Sequence, residues 1–284
     1  MTRIVIAGAG GQVGRFLADA LTARGRDLLA CTSTQWDITE PTAAADIVGP
    51  GDIVINCAAL TAVDAAETDE PRAFAVNATG AGNVARACAQ VGARLIHIST
   101  DYVFSGDIAG PPRPYEVDDP VGPRSAYGRS KLAGEQQVHA ALPDAAVVRT
   151  AWVYTGVGAD FVGTMRRLEA ERDTVDVVAD QTGSPTYVAD LVQALLQIAD
   201  DPAPPPLLHV VNTGPASRYE LARAVFDRIG ADPERVRPVG TERHPRPAPR
   251  PVYSVLSTAR HEAAGYRPLR SWQDGLDAAL AALP

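Results

Sequence analysis

A doubly wound α/β fold, with a parallel sheet under helices and a second, smaller α/β lobe, is predicted by three observations. Short apolar runs alternate with amphipathic stretches through the first half of the chain. A glycine-rich turn follows the first of these runs immediately. Beyond Trp152 the alternation loosens, and proline and arginine accumulate at 202–206 and 243–251.

The run Arg3-Ile4-Val5-Ile6-Ala7 reads as the first strand, and 27–31, 52–56, 94–98 and 145–150 read as the next four. They are apolar throughout, the pattern of strands buried on both faces of a parallel sheet. Helical patterns lie between them near 12–24, 72–91 and 126–141. Later, 187–199 carries an apolar stripe that suits packing back on the first lobe, while 218–229 and 272–283 read as helices of the second. The proline run 202–206 is expected to be a surface connection, because pattern resumes at Leu207-Leu208-His209-Val210-Val211. The expected division is 1–152 for the first domain, with a returning segment 186–200, and 153–284 for the second.

The turn after the first strand is Gly8-Ala9-Gly10-Gly11-Gln12-Val13-Gly14, and it opens a helix. Glycines at 8, 11 and 14 let backbone N–H groups and a helix N-terminus approach a pyrophosphate with no Cβ in the way. The spacing alone is weak in a chain with 24 glycines, and a plain tight turn is the alternative. Its place between a strand and a helix makes a Rossmann-type dinucleotide turn the better reading. The second strand ends in Cys31-Thr32-Ser33-Thr34, and no carboxylate follows until Asp37. NAD-specific folds place a carboxylate at that strand end to bind the ribose 2′-hydroxyl. Nothing here repels a 2′-phosphate, so NADPH is expected, with NADH accepted. Arg15 either assists that phosphate or is a solvated helix residue. Asp37-Ile38 lies beneath the adenine, as a structural turn or a cofactor contact.

Lys131 is the single lysine among 26 basic side chains. Arginine is a rigid fork, whereas lysine is a compact ammonium on a flexible stem, suited to a ribose hydroxyl and a nearby phenolate. Tyr127 stands four residues earlier, so on a helix the two share a face.

Three further segments fall at expected strand ends, where open α/β sheets bind ligands. They are Asn56-Cys57-Ala58-Ala59-Leu60-Thr61-Ala62-Val63-Asp64, Ser99-Thr100-Asp101-Tyr102-Val103-Phe104 and Arg149-Thr150-Ala151-Trp152-Val153-Tyr154. Downstream lie Asp180-Gln181-Thr182-Gly183-Ser184-Pro185-Thr186 and Arg250-Pro251-Val252-Tyr253-Ser254-Val255-Leu256. With Tyr127 and Lys131, these segments resemble the extended short-chain dehydrogenases/reductases, and within them the dTDP-4-dehydrorhamnose reductases, over essentially the whole chain. The resemblance implies NADPH-dependent reduction of the C4 ketone of dTDP-4-dehydro-β-L-rhamnose to dTDP-L-rhamnose, the last step of dTDP-rhamnose synthesis. It makes the first domain the NADP(H)-binding one and the second the sugar-nucleotide domain.

The same resemblance implies roles for particular residues. Tyr127 gives a proton to the C4 oxygen, Thr100 hydrogen-bonds that oxygen, and Lys131 holds the nicotinamide ribose and lowers the tyrosine pKa. Cofactor contacts are implied for Gly8, Gly11, Gln12, Val13, Gly14, Thr32, Asp37, Ile38, Ala58, Ala59, Leu60, Thr61, Ile98, Tyr127 and Lys131. Substrate contacts are implied for Thr100, Asp101, Trp152 and Arg250, the last bracketing the diphosphate, with Arg246 and Arg243 as nearby alternatives. Plain readings stand beside these: turn caps for Thr100 and Asp101, core packing for Trp152, a solvated loop for the arginines. No metal is expected. Some relatives pair through magnesium on glutamates, and this chain has Arg15-Phe16-Leu17 in its first helix and no glutamate at its C-terminus.

Composition narrows the remaining classes. A net charge of −8 and a pI near 5.1 argue against nucleic acid or an anionic membrane as the partner. No apolar run reaches membrane-spanning length, and the first strand begins at residue 3, leaving no room for a signal peptide. Cys31, Cys57 and Cys88 show no metal spacing and read as buried thiols in a reducing compartment. His97 reads as packing in a buried strand; His139, His209, His244 and His261 have no ligand spacing. A cytoplasmic enzyme, monomer or homodimer, acting on a small nucleotide sugar is expected. Two alternatives stay open: another nucleotide-sugar epimerase or 4-reductase, and a non-catalytic regulatory subunit of the same fold.

Overall fold

The computed structural model describes residues 2–107 and 110–283. Its first half alternates strands with helices. The order is β1 (Ile4–Ala7), α1 (Gln12–Ala23), β2 (Leu28–Cys31), β3 (Ile53–Asn56), α2 (Val63–Thr68), α3 (Glu70–Phe74), α4 (Ala81–Val91), β4 (Arg94–Thr100), α5 (Ala126–Ala141) and β5 (Ala146–Thr150). The second half is made of shorter pieces: β6 (Val153–Tyr154), α6 (Phe161–Glu171), β7 (Val175–Val178), β8 (Thr182–Gly183), β9 (Thr186–Tyr187), α7 (Val188–Asp200) and β10 (Leu207–His209). β11 (Ala216–Ser217), α8 (Arg218–Arg228), β12 (Val236–Val239), α9 (Ala259–Ala263) and α10 (Trp272–Ala281) complete it.

Six strands form one parallel sheet in the order β10-β5-β4-β3-β1-β2. The order reverses between β1 and β3, and loops leaving the strand carboxyl ends there open a crevice. Strand residues alternate between two faces. Ile4, Ile6, Ile53, Ile55 and Val148 pack with Leu17 and Leu21 of α1 and Leu191 and Leu195 of α7, in a core that runs on to Phe226 and Leu276. Val5, Val54, Leu95 and Val147 take the other face, against Val84 and Cys88 of α4 and Val138 of α5. Both faces are dry, which is why the strands read as apolar throughout. The segment returning to the sheet is longer than the 186–200 expected: besides α7 it adds β10, so 207–209 is the sixth strand.

The helix expected over 72–91 is broken. Asp69 caps α3 through the Arg72 N–H, Pro71 sits in its first turn, and a wider π turn, Ala75–Gly80, precedes α4. In that turn Asn77 grips Leu60 from both sides, accepting from its N–H at 2.8 Å and donating to its carbonyl at 3.1 Å. It also donates to Ser130 Oγ at 3.0 Å, tying the loop after β3 to α5. The π turn is therefore a positioning device for the crevice, invisible to a search for helical periodicity.

The smaller lobe holds three two-stranded pairings, β12 with β7, β11 with β8 and β6 with β9. α8 begins in a capping box, Ser217 with Glu220. That box fixes the direction in which Arg218, the first helical residue, leaves the backbone.

Candidate active site

The glycine turn is built for close approach. Gly8 has φ +80°, and a Cβ there would lie 2.6 Å from Ala58 N. A Cβ on Gly14 would lie 2.4 Å from the Gly8 oxygen. Side chains at either position would push β1, β3 and α1 apart. Gly11 caps α1 with no side-chain acceptor, so the first-turn N–H groups of the helix are left for an anion. These features fit a dinucleotide pyrophosphate. A cavity of about 370 Å³ beside the turn is lined by Gly8, Thr32, Ser33, Asp37, Ile38, Ala58 and Ala59, as expected of an adenosine pocket. Asp37 is a turn former there, accepting from the Thr39 N–H and hydroxyl at 2.9 and 2.7 Å. Arg15 lies elsewhere, exposed on a wider cleft beside α6, and not on the wall that carries Thr32.

A second cavity of about 360 Å³ continues from the glycine turn to the carboxyl ends of β4 and β5. Gln12, Val13, Ala59, Thr61, Ile98, Thr100, Asp101, Tyr127, Lys131 and Trp152 all face it. Leu60 does not; it packs with Ala66, Ala73, Ala126 and Tyr127.

α5 presents Tyr127 and Lys131 one turn apart, after Ser125 caps it through the Gly128 N–H at 3.1 Å. Gly128 is needed at that point, since a Cβ there would meet the Tyr102 carbonyl at 2.3 Å. The tight seat brings the phenol to the same cavity as Thr100, whose hydroxyl donates to Asp101 Oδ1 at 3.1 Å and accepts from the Tyr102 N–H at 3.2 Å. Burial is the main influence on Tyr127 and pushes its pKa above the ordinary phenol value, with the nearby Thr100 hydroxyl pulling the other way. The expectation that Lys131 lowers the tyrosine is corrected here. The lysine nitrogen is turned to the Ile98 carbonyl, 2.7 Å away, and the phenol stays protonated at neutral pH because it is desolvated. Burial also lowers Lys131 to about 8, against the opposing pull of Glu135. Cys57 is pushed up to about 12 by burial and is an inert thiol.

Behind the site, Arg149 and Glu135 form a buried bidentate pair, at 2.9 and 2.7 Å, and Ser99 donates its hydroxyl to the same carboxylate. This pair locks β4, β5 and α5 together where Thr100 and Tyr127 must meet. Asp101 is raised to about 6 by burial, with the Ser254 and Thr100 hydroxyls and then Arg218 opposing.

Trp152 has φ +45°, the one non-glycine residue with positive φ among those described. Such a conformation costs on the order of 1–2 kcal/mol and marks a side chain aimed by its surroundings. Its indole rests on Gly183, where a Cβ would come within 2.5 Å of the ring. Above it lies Arg218, with Cζ 3.5 Å from the ring centroid and 5.0 Å from that of Phe161. Among the described residues the Arg218 guanidinium makes no ion pair and no hydrogen bond, unlike Arg250, which is bidentate to Asp64 at 2.6 and 3.0 Å. Burial lowers Arg218 to about 10, so it remains a cation at neutral pH. It borders both the catalytic cavity and the wider cleft of about 910 Å³ lined also by Arg15, Phe161 and Arg246. The sequence reading missed Arg218 and placed the diphosphate at Arg250, which lines neither cavity. Arg243 is exposed and lines neither as well. The available signal was the capping box, which sets Arg218 at the start of a helix opposite the crevice.

The family described as the RmlD substrate binding domain matches residues 1–284. A dTDP-4-dehydrorhamnose reductase of Mycobacterium tuberculosis (strain ATCC 25618 / H37Rv) is 61% identical over 282 residues, 99% of this chain and 93% of the relative. A probable dTDP-4,6-dihydroxy-2-methyloxan-3-one 4-ketoreductase of Streptomyces antibioticus is 45% identical, over 96% of this chain and 93% of its own. The crystal structure of dTDP-4-dehydrorhamnose reductase from Bacillus anthracis, in complex with NADP, superposes with a TM-score of 0.93 at 38% identity, covering 100% of both chains.

Proposed function

The chain belongs to the RmlD substrate-binding-domain family, and from that premise we propose that it is a reductase of a dTDP-linked ketosugar. It reduces the C4 ketone of dTDP-4-dehydro-β-L-rhamnose to dTDP-L-rhamnose with NADPH, the reaction its relatives' names and the NADP complex support. The observation that carries this reading is the meeting of Tyr127, Lys131 and Thr100 in one crevice that opens from the glycine turn.

The glycine turn and the cavity lined by Thr32 and Ile38 would hold NADPH, which would supply the hydride. The protein's own groups do the rest. Tyr127, buried and protonated, gives its proton to the C4 oxygen as that oxygen becomes an alkoxide. Thr100 hydrogen-bonds the same oxygen and aligns the phenol. Lys131 reaches the nicotinamide ribose. Trp152 packs on the deoxysugar ring, with Asp101 beside it. Arg218 takes the diphosphate in place of Arg250, because it is the cation left uncommitted at the mouth of the cavity. The described helices include none long and apolar enough to cross a membrane. We place the enzyme in the cytoplasm, as a monomer or homodimer that uses neither nucleic acid nor a membrane.

The test offers three nucleotide ketosugars in parallel: dTDP-4-dehydro-L-rhamnose, dTDP-4-keto-6-deoxy-D-glucose and a UDP-linked 4-ketosugar. NADPH absorbance should fall fastest with the first, with dTDP-L-rhamnose as product. Preference for either of the others would overturn the substrate assignment, and no turnover with any would favour a regulatory role.

A further inference from the structure

His97 lies in β4 with no exposed surface, and the mechanism above makes no use of it. It stands in a chain of hydrogen bonds whose direction can be derived step by step. The Ala58 N–H can only donate, and it reaches Asn56 Oδ1 at 3.0 Å. The Asn56 amide nitrogen therefore faces the other way, 3.2 Å from His97 Nδ1. An amide nitrogen is a donor with no acceptor capacity, so Nδ1 must carry the lone pair. Burial in the sheet holds the imidazole pKa well below its usual value, so the ring is neutral and its single proton is on Nε2. That N–H faces Lys131 Nζ at 3.4 Å. An ammonium has three N–H groups and no lone pair, and would set donor against donor; an amine accepts. The lysine still donates to the Ile98 carbonyl in either state.

We propose that His97 is a positioning residue for Lys131: its tautomer, fixed by Asn56 and the Ala58 amide, presents an N–H that favours the lysine amine over the ammonium. The neighbouring groups weigh on both sides. Glu135, on the same helix, favours the ammonium, but it is already paired with Arg149 and bonded to Ser99. Cys57, just past β3, is held as a neutral thiol by burial and carries no opposing charge. Tyr127, one turn back on α5, is a neutral phenol. Burial acts in the same sense as the His97 N–H and brings the lysine down to about 8. The chain begins at Ala58 in the cofactor loop, so the dinucleotide pocket and the lysine share one polar thread. This inference rests on the pairing of Tyr127 with Lys131 but not on which sugar is reduced.

The chain's single lysine gives a clean probe. Protein grown with ¹³Cε-lysine carries one resonance, whose pH titration reads Lys131 directly, with no substrate present. The midpoint should lie near 8 in the native protein. In His97→Gln the amide can turn its oxygen to the lysine, and the midpoint should rise by about one unit, a tenfold shift toward ammonium. An unchanged midpoint would overturn the proposal even if the ketosugar assay succeeds. Imidazole ¹⁵N shifts of the native protein provide a reading that needs no variant: His97 should show the Nε2–H tautomer, and an Nδ1–H form would refute the chain.

Discussion

Arg218→Met removes a cation while keeping an unbranched side chain against the Trp152 ring. The guanidinium has been desolvated by the folded protein, lies 3.5 Å from that ring and has no ion-pair partner among the described residues, so an incoming diphosphate meets a prepaid charge. Hydrogen bonds to a charged partner contribute about 1.5–3 kcal/mol each. A bidentate contact partly offset by substrate desolvation should then be worth about 3 kcal/mol, or on the order of 10²-fold in affinity. Initial rates measured against each substrate in turn should show the sugar-nucleotide KM rising by about that factor. The NADPH KM should change less than about twofold, since Arg218 borders the cavity at its Trp152 end. Arg218→Lys should fall between, retaining charge and losing the fork. Calorimetry with dTDP and with thymidine separates phosphate from base: the first should weaken about 10²-fold and the second hardly at all. Equal losses for both ligands, or equal rises in both KM values, would refute the diphosphate assignment.

Two further outcomes are expected. Gly183→Ala places a Cβ within 2.5 Å of the Trp152 ring and must displace it, so kcat/KM for the sugar nucleotide should fall while NADPH binding persists; unaltered kinetics would return Trp152 to a packing role. Asp101 has a folded pKa of about 6, raised from 3.8, so the folded state holds its proton more tightly than the unfolded chain does. Its contribution to stability is then greatest below pH 4 and is lost as pH rises to about 6. Against Asp101→Asn, which does not ionise, native stability in urea should decline across that window by up to about 3 kcal/mol and run parallel above it. Parallel curves throughout would contradict the burial argument.

The parallel sheet was legible because five strands are apolar on both faces, and the dinucleotide turn because Gly8 and Gly14 stand where a Cβ would collide. α5 emerged with the bounds expected of it, carrying Tyr127 and Lys131 to the crevice together. Local periodicity did not foresee the π turn at Ala75–Gly80, whose purpose is the distant grip of Asn77 on Leu60. Nor did it separate Arg218 from Arg250. Both are arginines in plausible segments, and only the fold reveals that Asp64 already holds one of them. The sign of the tyrosine shift was misjudged for a related reason: sequence spacing gives proximity of charges, whereas burial, a property of the whole fold, decided the outcome.

The proposed reaction depends above all on the Tyr127 phenol supplying the proton when the sugar ketone is reduced. Single-turnover NADPH oxidation with dTDP-4-dehydro-L-rhamnose, comparing the native enzyme with Tyr127→Phe, tests it most directly. The rate constant should fall about 10²–10⁴-fold in the variant while the dissociation constants of both ligands stay within a few-fold. A variant that reduces the sugar at close to the native rate would contradict it.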